Sequence, residues 1–540
     1  MIEDADYVIA GGGSAGCVLA RRLSEDSRNR VVLLEAGPPS NLFMVDLPAG
    51  MLSIMPRQDL NWFYATEPDP TLNGRSNIWH AGKMLGGGSS INGMVYIRGA
   101  RHDYDGWAKT GCTGWSWDEV LPYFRRSEDY EGEASEIHGK GGPLGVSPLR
   151  AVTQTARSFV EACAEIGMPT IPDYCSGDVD GAYIPLATQR NGQRCSAARG
   201  FLGDIKGRPN LRILTGALVD RVIVENGRAV GVVYRQNGAT HEVRAKREVI
   251  VSAGALHSPA ILLRSGIGPG AELQKHGIAV TLESKEVGHN LHDHPSMPNI
   301  RLVDSPSYNV TSNIVRNMIE GIKYVTARRG MLTTCAVHAH AHGRTAPDVE
   351  HPDIKMQMMP FWGDPQRRVG GPIDPNGPDA AKDYGMTINV NIMAPKSRGE
   401  IRLRSADPTD KPVIDHPMYA VPSDLDGMRA ALKLADKIYA APALAKHVVG
   451  PAFPPTPDPS DEEWEDLIRR YTQVGYHPVA TCRMGGDNTA VVDPRLRVYG
   501  VAGLRVIDAS IIPVLPSANT NAPAIMVAEK GAEMVLADNR

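Results

Sequence analysis

The chain has no uninterrupted run of about eighteen apolar residues, the length a helix needs to cross a bilayer, so no transmembrane segment is expected. Neither sign of charge is in excess: 57 lysines and arginines stand against 61 aspartates and glutamates, for a net charge of -4. That balance gives no reason to expect nucleic acid or an anionic membrane as partner. The seven cysteines (Cys17, Cys112, Cys163, Cys175, Cys195, Cys335, Cys482) are odd in number, scattered, and free of Cys-x-x-Cys spacing. A disulfide framework and a structural zinc site are therefore not expected. There is no internal repeat and no low-complexity tract. The first residues, Met1 to Asp6, are acidic and run straight into a strand pattern, unlike a signal peptide. A reducing cytoplasm is the expected location.

What is present is length and pattern. A chain of 540 residues is too long for one simple core and suits two domains. Near the start, Tyr7-Val8-Ile9-Ala10 is a short apolar run that breaks at Gly11-Gly12-Gly13-Ser14-Ala15-Gly16. A helical stretch, Cys17 to Leu23, follows, then a second apolar strand, Arg30 to Leu34, ended by Glu35. Strand, glycine turn, helix, strand and acid in this order form a dinucleotide fingerprint. Gly11 serves the tight turn, Gly13 lets the backbone approach a pyrophosphate, and Gly16 lets helix and strand pack closely. The pyrophosphate belongs at the helix N-terminus, against free N–H groups and the positive end of the dipole. Glu35 suits ribose hydroxyls and disfavours a 2′-phosphate, which leaves FAD or NAD.

Further along, Val219 to Tyr234 reads as two strands around the hairpin turn Glu225-Asn226-Gly227. From about Pro295 the texture changes to alternating segments, Val337 to His342 and Thr387 to Ile392, that suit half-buried antiparallel strands. Pro- and Gly-rich loops such as Gly363 to Pro378 separate them. Near Val474 the nucleotide-domain texture returns, with Leu504 to Asp508 as a buried strand. The expected fold is mixed α/β (α+β): a Rossmann-like nucleotide domain of residues 1–150, 200–295 and 470–540, with an inserted antiparallel-sheet substrate domain of residues 151–199 and 296–469.

A second glycine-rich turn, Gly82-Lys83-Met84-Leu85-Gly86-Gly87-Gly88-Ser89-Ser90-Ile91-Asn92, opens a segment to Asp105 that resembles the first signature of the glucose-methanol-choline oxidoreductases. Gly254 to Gly268 resembles the family's second signature in the same way. Arg194 to Ala198, Val287 to His294 and Ser397 to Ile401 are similar to further family segments. The resemblance covers nearly the whole chain. It implies FAD as cofactor and an antiparallel sheet of about six strands over the flavin. It further implies FAD contacts from Gly11, Gly13, Ser14, Ala15, Gly16, Glu35, Ala36, Met84, Gly87, Asn92, Gly93, Met94, Val95, Val219, Tyr476, Asp508, Ala509 and Thr520. Some members attach the flavin through a histidine at the position of Ile91; an aliphatic side chain cannot, so non-covalent FAD is expected.

Oxidising an alcohol by hydride transfer requires a base for the hydroxyl proton and an acceptor for the hydride, which the flavin N5 supplies. Histidine suits the base, with an unperturbed pKa of about 6.5. His477, in Gly475-Tyr476-His477-Pro478, resembles the family's catalytic histidine, and Asn519, in Ser517-Ala518-Asn519-Thr520-Asn521, its partner. An asparagine amide donates to the substrate oxygen without competing for the proton. Asn519 and Asn521 also suit simple N-capping of a helical run from Ala524 to Leu536.

The resemblance implies oxidation of a CH–OH group, primary alcohols first, with electrons passing to oxygen or another acceptor. The alternatives are a hydroxynitrile lyase on the same scaffold and a flavin-binding protein without catalysis. His338, His340 and His342 share one face of a strand, but no carboxylate or cysteine pattern accompanies them. Lining the substrate pocket or the sheet's wet face is expected of them, and no metal. His292-Asp293-His294 is expected to fix a loop. Trp62 to Tyr64 and Trp115 to Trp117 are expected to pack, and Arg101-His102-Asp103-Tyr104-Asp105 to be solvated loop surface.

Overall fold

The computed structural model describes residues 4–309, 314–363, 365 and 383–539. The loop expected from Gly363 to Pro378 lies almost entirely outside the described residues.

Two seven-stranded sheets organise the chain. In the first, the apolar runs near the N-terminus form the strands Ala5–Ala10 and Val31–Glu35, paired in parallel and flanked by Leu211–Thr215. The strand Ala239–Val251 serves three neighbours. Its second half runs parallel to Ala5–Ala10, and its first half pairs antiparallel with Arg228–Gln236. Leu504–Val506, from the far end of the chain, adds in parallel on its other side. The expected hairpin forms with Glu225 opposite Arg228 and with Asn226 and Gly227 both at positive φ, the two-residue turn that matches strand twist.

The helices Ser14–Leu23 and Asn521–Asp538 lie side by side in parallel. Ser14 Oγ donates to Asn521 Oδ1 at 2.8 Å, and Arg22 grips the buried Glu529 with two bonds of 2.7 and 2.8 Å. Both N-termini therefore point the same way. A second ion group ties the C-terminal helix to the sheet: buried Arg505 bonds Glu248 and Asp538.

The second sheet is antiparallel, in the order Val448–Phe453, Pro295–Val303, Gly385–Ile392, Ile354–Met359, Ala339–Gly343, Gly181–Tyr183, with Gln473–Val474 also on Pro295–Val303. Alternation explains its two faces. Met297, Ala341, Met356, Ile388 and Val390 pack with Phe159 of the helix Gln154–Glu165 and with Met428 and Leu432 of the helix Pro422–Ala440. The polar set on the other face includes Ser296, Lys355, Gln357, Asn389 and Asn391, which the register pairs across the strands. Ser296, Lys355, Gln357 and Asn391 are buried all the same, because that face meets the first domain. All seven cysteines are buried and unpaired.

Gly16 shows why the first turn demands glycine: a Cβ there would sit 1.9 Å from the Gly11 carbonyl oxygen. Gly106, inside the helix Arg101–Lys109, has nothing within 4 Å of such a Cβ. Gly16→Ala is expected to lower unfolding free energy in urea by about 1–3 kcal/mol, the cost of overpacking. Gly106→Ala is expected to raise it by roughly 0.4–1 kcal/mol. Equal midpoints for the two variants would contradict this packing account.

Candidate functional site

A cavity of about 550 Å³ runs from the glycine turns of the first sheet to the polar face of the second. At one end it is lined by Gly11, Gly13, Ser14, Ala15, Glu35 and Ala36. The second glycine turn docks backbone to backbone on the first: Gly86 N–H donates to Gly12 O at 2.7 Å, and a Cβ on Gly87 would stand 2.8 Å from Gly13 Cα. Neither helix facing this end has a side-chain cap, with Gly13 and Thr520 as the N-cap residues. Asn519 and Asn521 thus do not cap, contrary to the simpler expectation, and the C-terminal helix starts at Asn521 rather than Ala524. A Cβ on Gly13 would meet nothing within 4 Å. Two sets of uncapped N–H groups beside that space suit a pyrophosphate. Glu35 is held in place by backbone, its oxygens accepting from Gly12 N–H at 2.9 Å and Gly37 N–H at 2.8 Å. Burial nonetheless pushes its pKa up, with those N–H groups pulling the other way.

Gly87, Asn92, Gly93, Met94, Val95, Val219, Tyr476, His477, Asp508, Ala509, Asn519 and Thr520 all line the same cavity. Two expected contact residues do not. Gly16 is spent on helix–strand packing, and Met84 is fully buried in a satellite cluster with Val45, Ile54, Leu60 and Ile91. Asn92 is oriented by Arg194, whose Nη1 donates to Asn92 Oδ1 at 2.8 Å, while Met94 N–H donates to the same oxygen. Trp62 and Tyr64, expected only to pack, also line the cavity.

The loop carrying His477 is fixed by a carboxylate. Asp293 Oδ1 accepts from the backbone N–H of His477 at 2.8 Å and of His294 at 2.7 Å. Its Oδ2 accepts from Tyr476 N–H at 3.0 Å and from Trp79 Nε1–H at 2.7 Å. Tyr476 takes a left-handed φ of 65°, a conformation that costs a side-chain-bearing residue and needs such anchoring. Burial raises Asp293 to about 6, against the pull of its four donors.

His477 Nδ1 lies 3.1 Å from His294 Nδ1. One of the two must donate. Burial first, and then the Lys355 ammonium, hold both rings well below the usual histidine pKa, so both are neutral near pH 7. With His477 donating from Nδ1, its Nε2 lone pair is the group left for the chamber. The atoms of Asp293, His294 and His477 also come within 4.8 Å of one another, a spacing a metal would accept, but both Asp293 oxygens are already engaged by N–H donors.

Asn519 receives Lys355 Nζ–H on its Oδ1 at 3.1 Å. The amide's NH₂ is thereby turned away from the lysine. Two residues earlier, Ser517 N–H and Oγ–H both donate to Asp103, at 2.8 and 3.0 Å. The run Arg101 to Asp105 is therefore not solvated surface loop. It begins a helix whose Asp103 accepts from Ala100 N–H and pins the Asn519 loop, because a carboxylate at the third helical position can reach back over the helix start.

Asp293 fixes a loop as expected of His292-Asp293-His294, and that loop carries His477; sequence reasoning misses Asp103, His294, Arg194 and Lys355 as parts of the site. A signal for Lys355 is present: in Ile354–Met359 it stands two residues from Gln357, on the polar side of an alternating strand. His338, His340 and His342 are corrected too. All three are fully buried, and none lines the cavity or a wet face. His340 and His342 pair in register with Gln357 and Lys355 on the second sheet's covered polar face. Desolvation there holds each of the three below the ordinary histidine pKa.

Family models described as GMC oxidoreductase match residues 5–296 and 395–528. The chain is 39% identical over 536 residues to an alcohol dehydrogenase [acceptor] of Pseudomonas putida, covering 98% of this chain and 95% of that one. It is 38% identical over 537 residues to an oxygen-dependent choline dehydrogenase of Sinorhizobium medicae, with coverage of 98% and 95%. Among solved structures it superposes on pyridoxine 4-oxidase from Mesorbium loti with a TM-score of 0.87 and 32% identity, covering 98% of this chain and 99% of that one. With a nucleotide cradle at one end and a histidine–asparagine pair at the other, the chain belongs to the GMC oxidoreductases and is an FAD-dependent oxidoreductase.

Proposed function

We propose that the protein oxidises the CH–OH group of an alcohol, primary alcohols first, with His477 as base and Asn519 as the residue that holds the substrate oxygen. One observation carries this reading: a neutral histidine whose Nδ1 is engaged by His294 and an asparagine whose Oδ1 is engaged by Lys355 line the same cavity. Bound FAD supplies the hydride acceptor. The Nε2 of His477 takes the hydroxyl proton, while Asn519 Nδ2–H donates to the oxygen and holds it against the base. Asp293 keeps the base in place through the backbone rather than the ring, so it orients His477 without taking its proton.

Gly11, Gly13, Ser14 and Ala15 hold the pyrophosphate, Glu35 and Ala36 the ribose end, and Asn92 to Val95, Val219, Tyr476, Asp508, Ala509 and Thr520 line the rest of the cofactor's path. Residues 151–199 and 296–469 form the substrate unit. The relatives' names include both a generic acceptor and oxygen, and either serves as the electron sink here. No described helix is long and apolar enough to cross a membrane, and the unpaired cysteines fit a reducing cytoplasm.

Ile91, aliphatic and buried, offers no attachment point, so acid precipitation is expected to release the FAD into the supernatant. Flavin retained on the pellet would contradict non-covalent binding. Glu35→Ala is expected to weaken FAD binding by about 1.5–3 kcal/mol, read by titration of the apoprotein.

His477→Ala is expected to slow anaerobic flavin reduction by alcohol about 10²–10⁴-fold, the worth of a positioned base. Asn519→Ala is expected to slow it less, since the base remains. Anaerobic bleaching by an alcohol also separates oxidation from a lyase reaction, which leaves the flavin oxidised. The base works only when neutral and its pKa is depressed, so the acid limb of the reduction rate is expected below pH 6.5. A limb at or above pH 7 that persists in His477→Ala would assign it to another group.

A further inference from the structure

The substrate half of the cavity carries an unusual charge pattern. Beside the second sheet its wall includes Ser296, Gln357, Asn389, Asn391, His477 and Asn519, with no carboxylate among the described residues. The carboxylates among the lining residues are Glu35, which ends a strand of the first sheet, and Asp508, which follows one; both are bonded to backbone N–H groups there. Directly behind the reacting pair lies Lys355, fully buried, whose acceptor among the described residues is the neutral Asn519 Oδ1. Around it stand His294, His340, His342 and His477, all held neutral, and Asn391 across the strand pair. The acid nearest this group, Asp293, spends both oxygens on four N–H donors and does not line the cavity. Among the described residues Arg75 and Arg470 line the wall themselves, which Lys355 does not. Arg470 is neutralised by Asp466, but Arg75 bonds Asn77 Oδ1 and the Thr472 carbonyl, with no salt-bridge partner among the described residues.

We propose that Lys355 sets the substrate class: it fixes the Asn519 amide with its NH₂ toward the chamber and, with Arg75, makes the chamber select neutral and anionic alcohols over quaternary-ammonium alcohols. This rests on the alcohol-oxidation reading above. Relatives named for choline are 36–38% identical to this chain, so overall similarity alone would suggest a cationic substrate. Recognising a trimethylammonium group needs a carboxylate or a cage of aromatic faces free of competing cations. Here the fixed charges oppose it. A buried ammonium with no ion partner among the described residues repels a second cation across a low-dielectric wall, and at an effective dielectric constant of about 20 a separation of about 6 Å yields roughly 100-fold discrimination. Desolvation lowers the Lys355 pKa to about 7, with Asp293 pulling it upward, so the contrast is greatest when measured near pH 6, where His477 is still neutral.

The test compares choline with its uncharged isostere 3,3-dimethylbutan-1-ol in the holoenzyme at pH 6. The neutral alcohol is expected to show a kcat/KM about 100-fold higher or more. In Lys355→Met the ratio is expected to shrink about tenfold, and in Lys355→Arg, which keeps the charge, to stay large. An independent arm measures Kd for two redox-inert ligands, pivalate and tetramethylammonium, from perturbation of the flavin spectrum. Pivalate is expected to bind at least tenfold more tightly to the wild type, with that preference lost in Lys355→Met and kept in Lys355→Arg. Choline oxidised as well as its isostere, or tetramethylammonium bound as tightly as pivalate, would overturn the proposal. So would a charge preference unchanged in Lys355→Met. If neither alcohol reduces the flavin while the ligand preference holds, it is the alcohol-oxidation reading that fails and not the charge selection.

Discussion

The site depends on one buried carboxylate. Asp293 sits just before the strand Pro295–Val303 of the second sheet and accepts four N–H bonds, from Trp79, His294, Tyr476 and His477. A carboxylate taken out of water is costly unless its lone pairs are filled, so the chain segments that fill them are held with corresponding force. That force keeps Tyr476 in a left-handed conformation and presents the His477 ring to the chamber. It also joins three distant stretches of sequence at one point. His477 is then tuned from behind: His294 engages its Nδ1, and burial, with Lys355 second, keeps the ring neutral.

The cofactor end follows a different logic, in which backbone rather than side chains does the holding. Two parallel helices, one from each end of the chain, aim uncapped N-termini at the same space. The Arg22–Glu529 pair fixes their alignment. The second glycine turn closes the space from the side, and it can do so only because its contact with the first turn is made between backbones. Positive dipole ends and a pinned Glu35 suit phosphate and ribose, with no lysine or arginine among the described residues of that wall.

The two ends differ in how far they can be read. The strand–turn–helix–strand unit from Ala5 to Glu35 is legible because its determinants are local: apolar runs, a glycine turn and an acid at fixed offsets. The hairpin at Asn226-Gly227 is legible for the same reason. The histidine trio is misread because alternation shows which side chains share a face, not whether that face meets water or another domain. Arg101 to Asp105 is misread because a charged run looks solvated until its partner is known; Asp103 finds Ser517 over four hundred residues away. Met84 and Gly16 fall in with the cofactor contacts around them in sequence, yet packing claims both.

The family resemblance singled out His477 and Asn519 as the pair worth watching, while the sequence by itself determined the nucleotide fingerprint and the alternating strands of the second sheet. These depend on residue type and short spacing, which survive without coordinates. Only the tertiary structure decided the pairing of the His477 ring with His294, the orientation of the Asn519 amide, the pinning of their loops and the charge that Lys355 brings to the chamber. Each of those arises between residues separated by more than a hundred positions, where no local period or propensity carries information and only the closing of one domain on the other brings donor to acceptor.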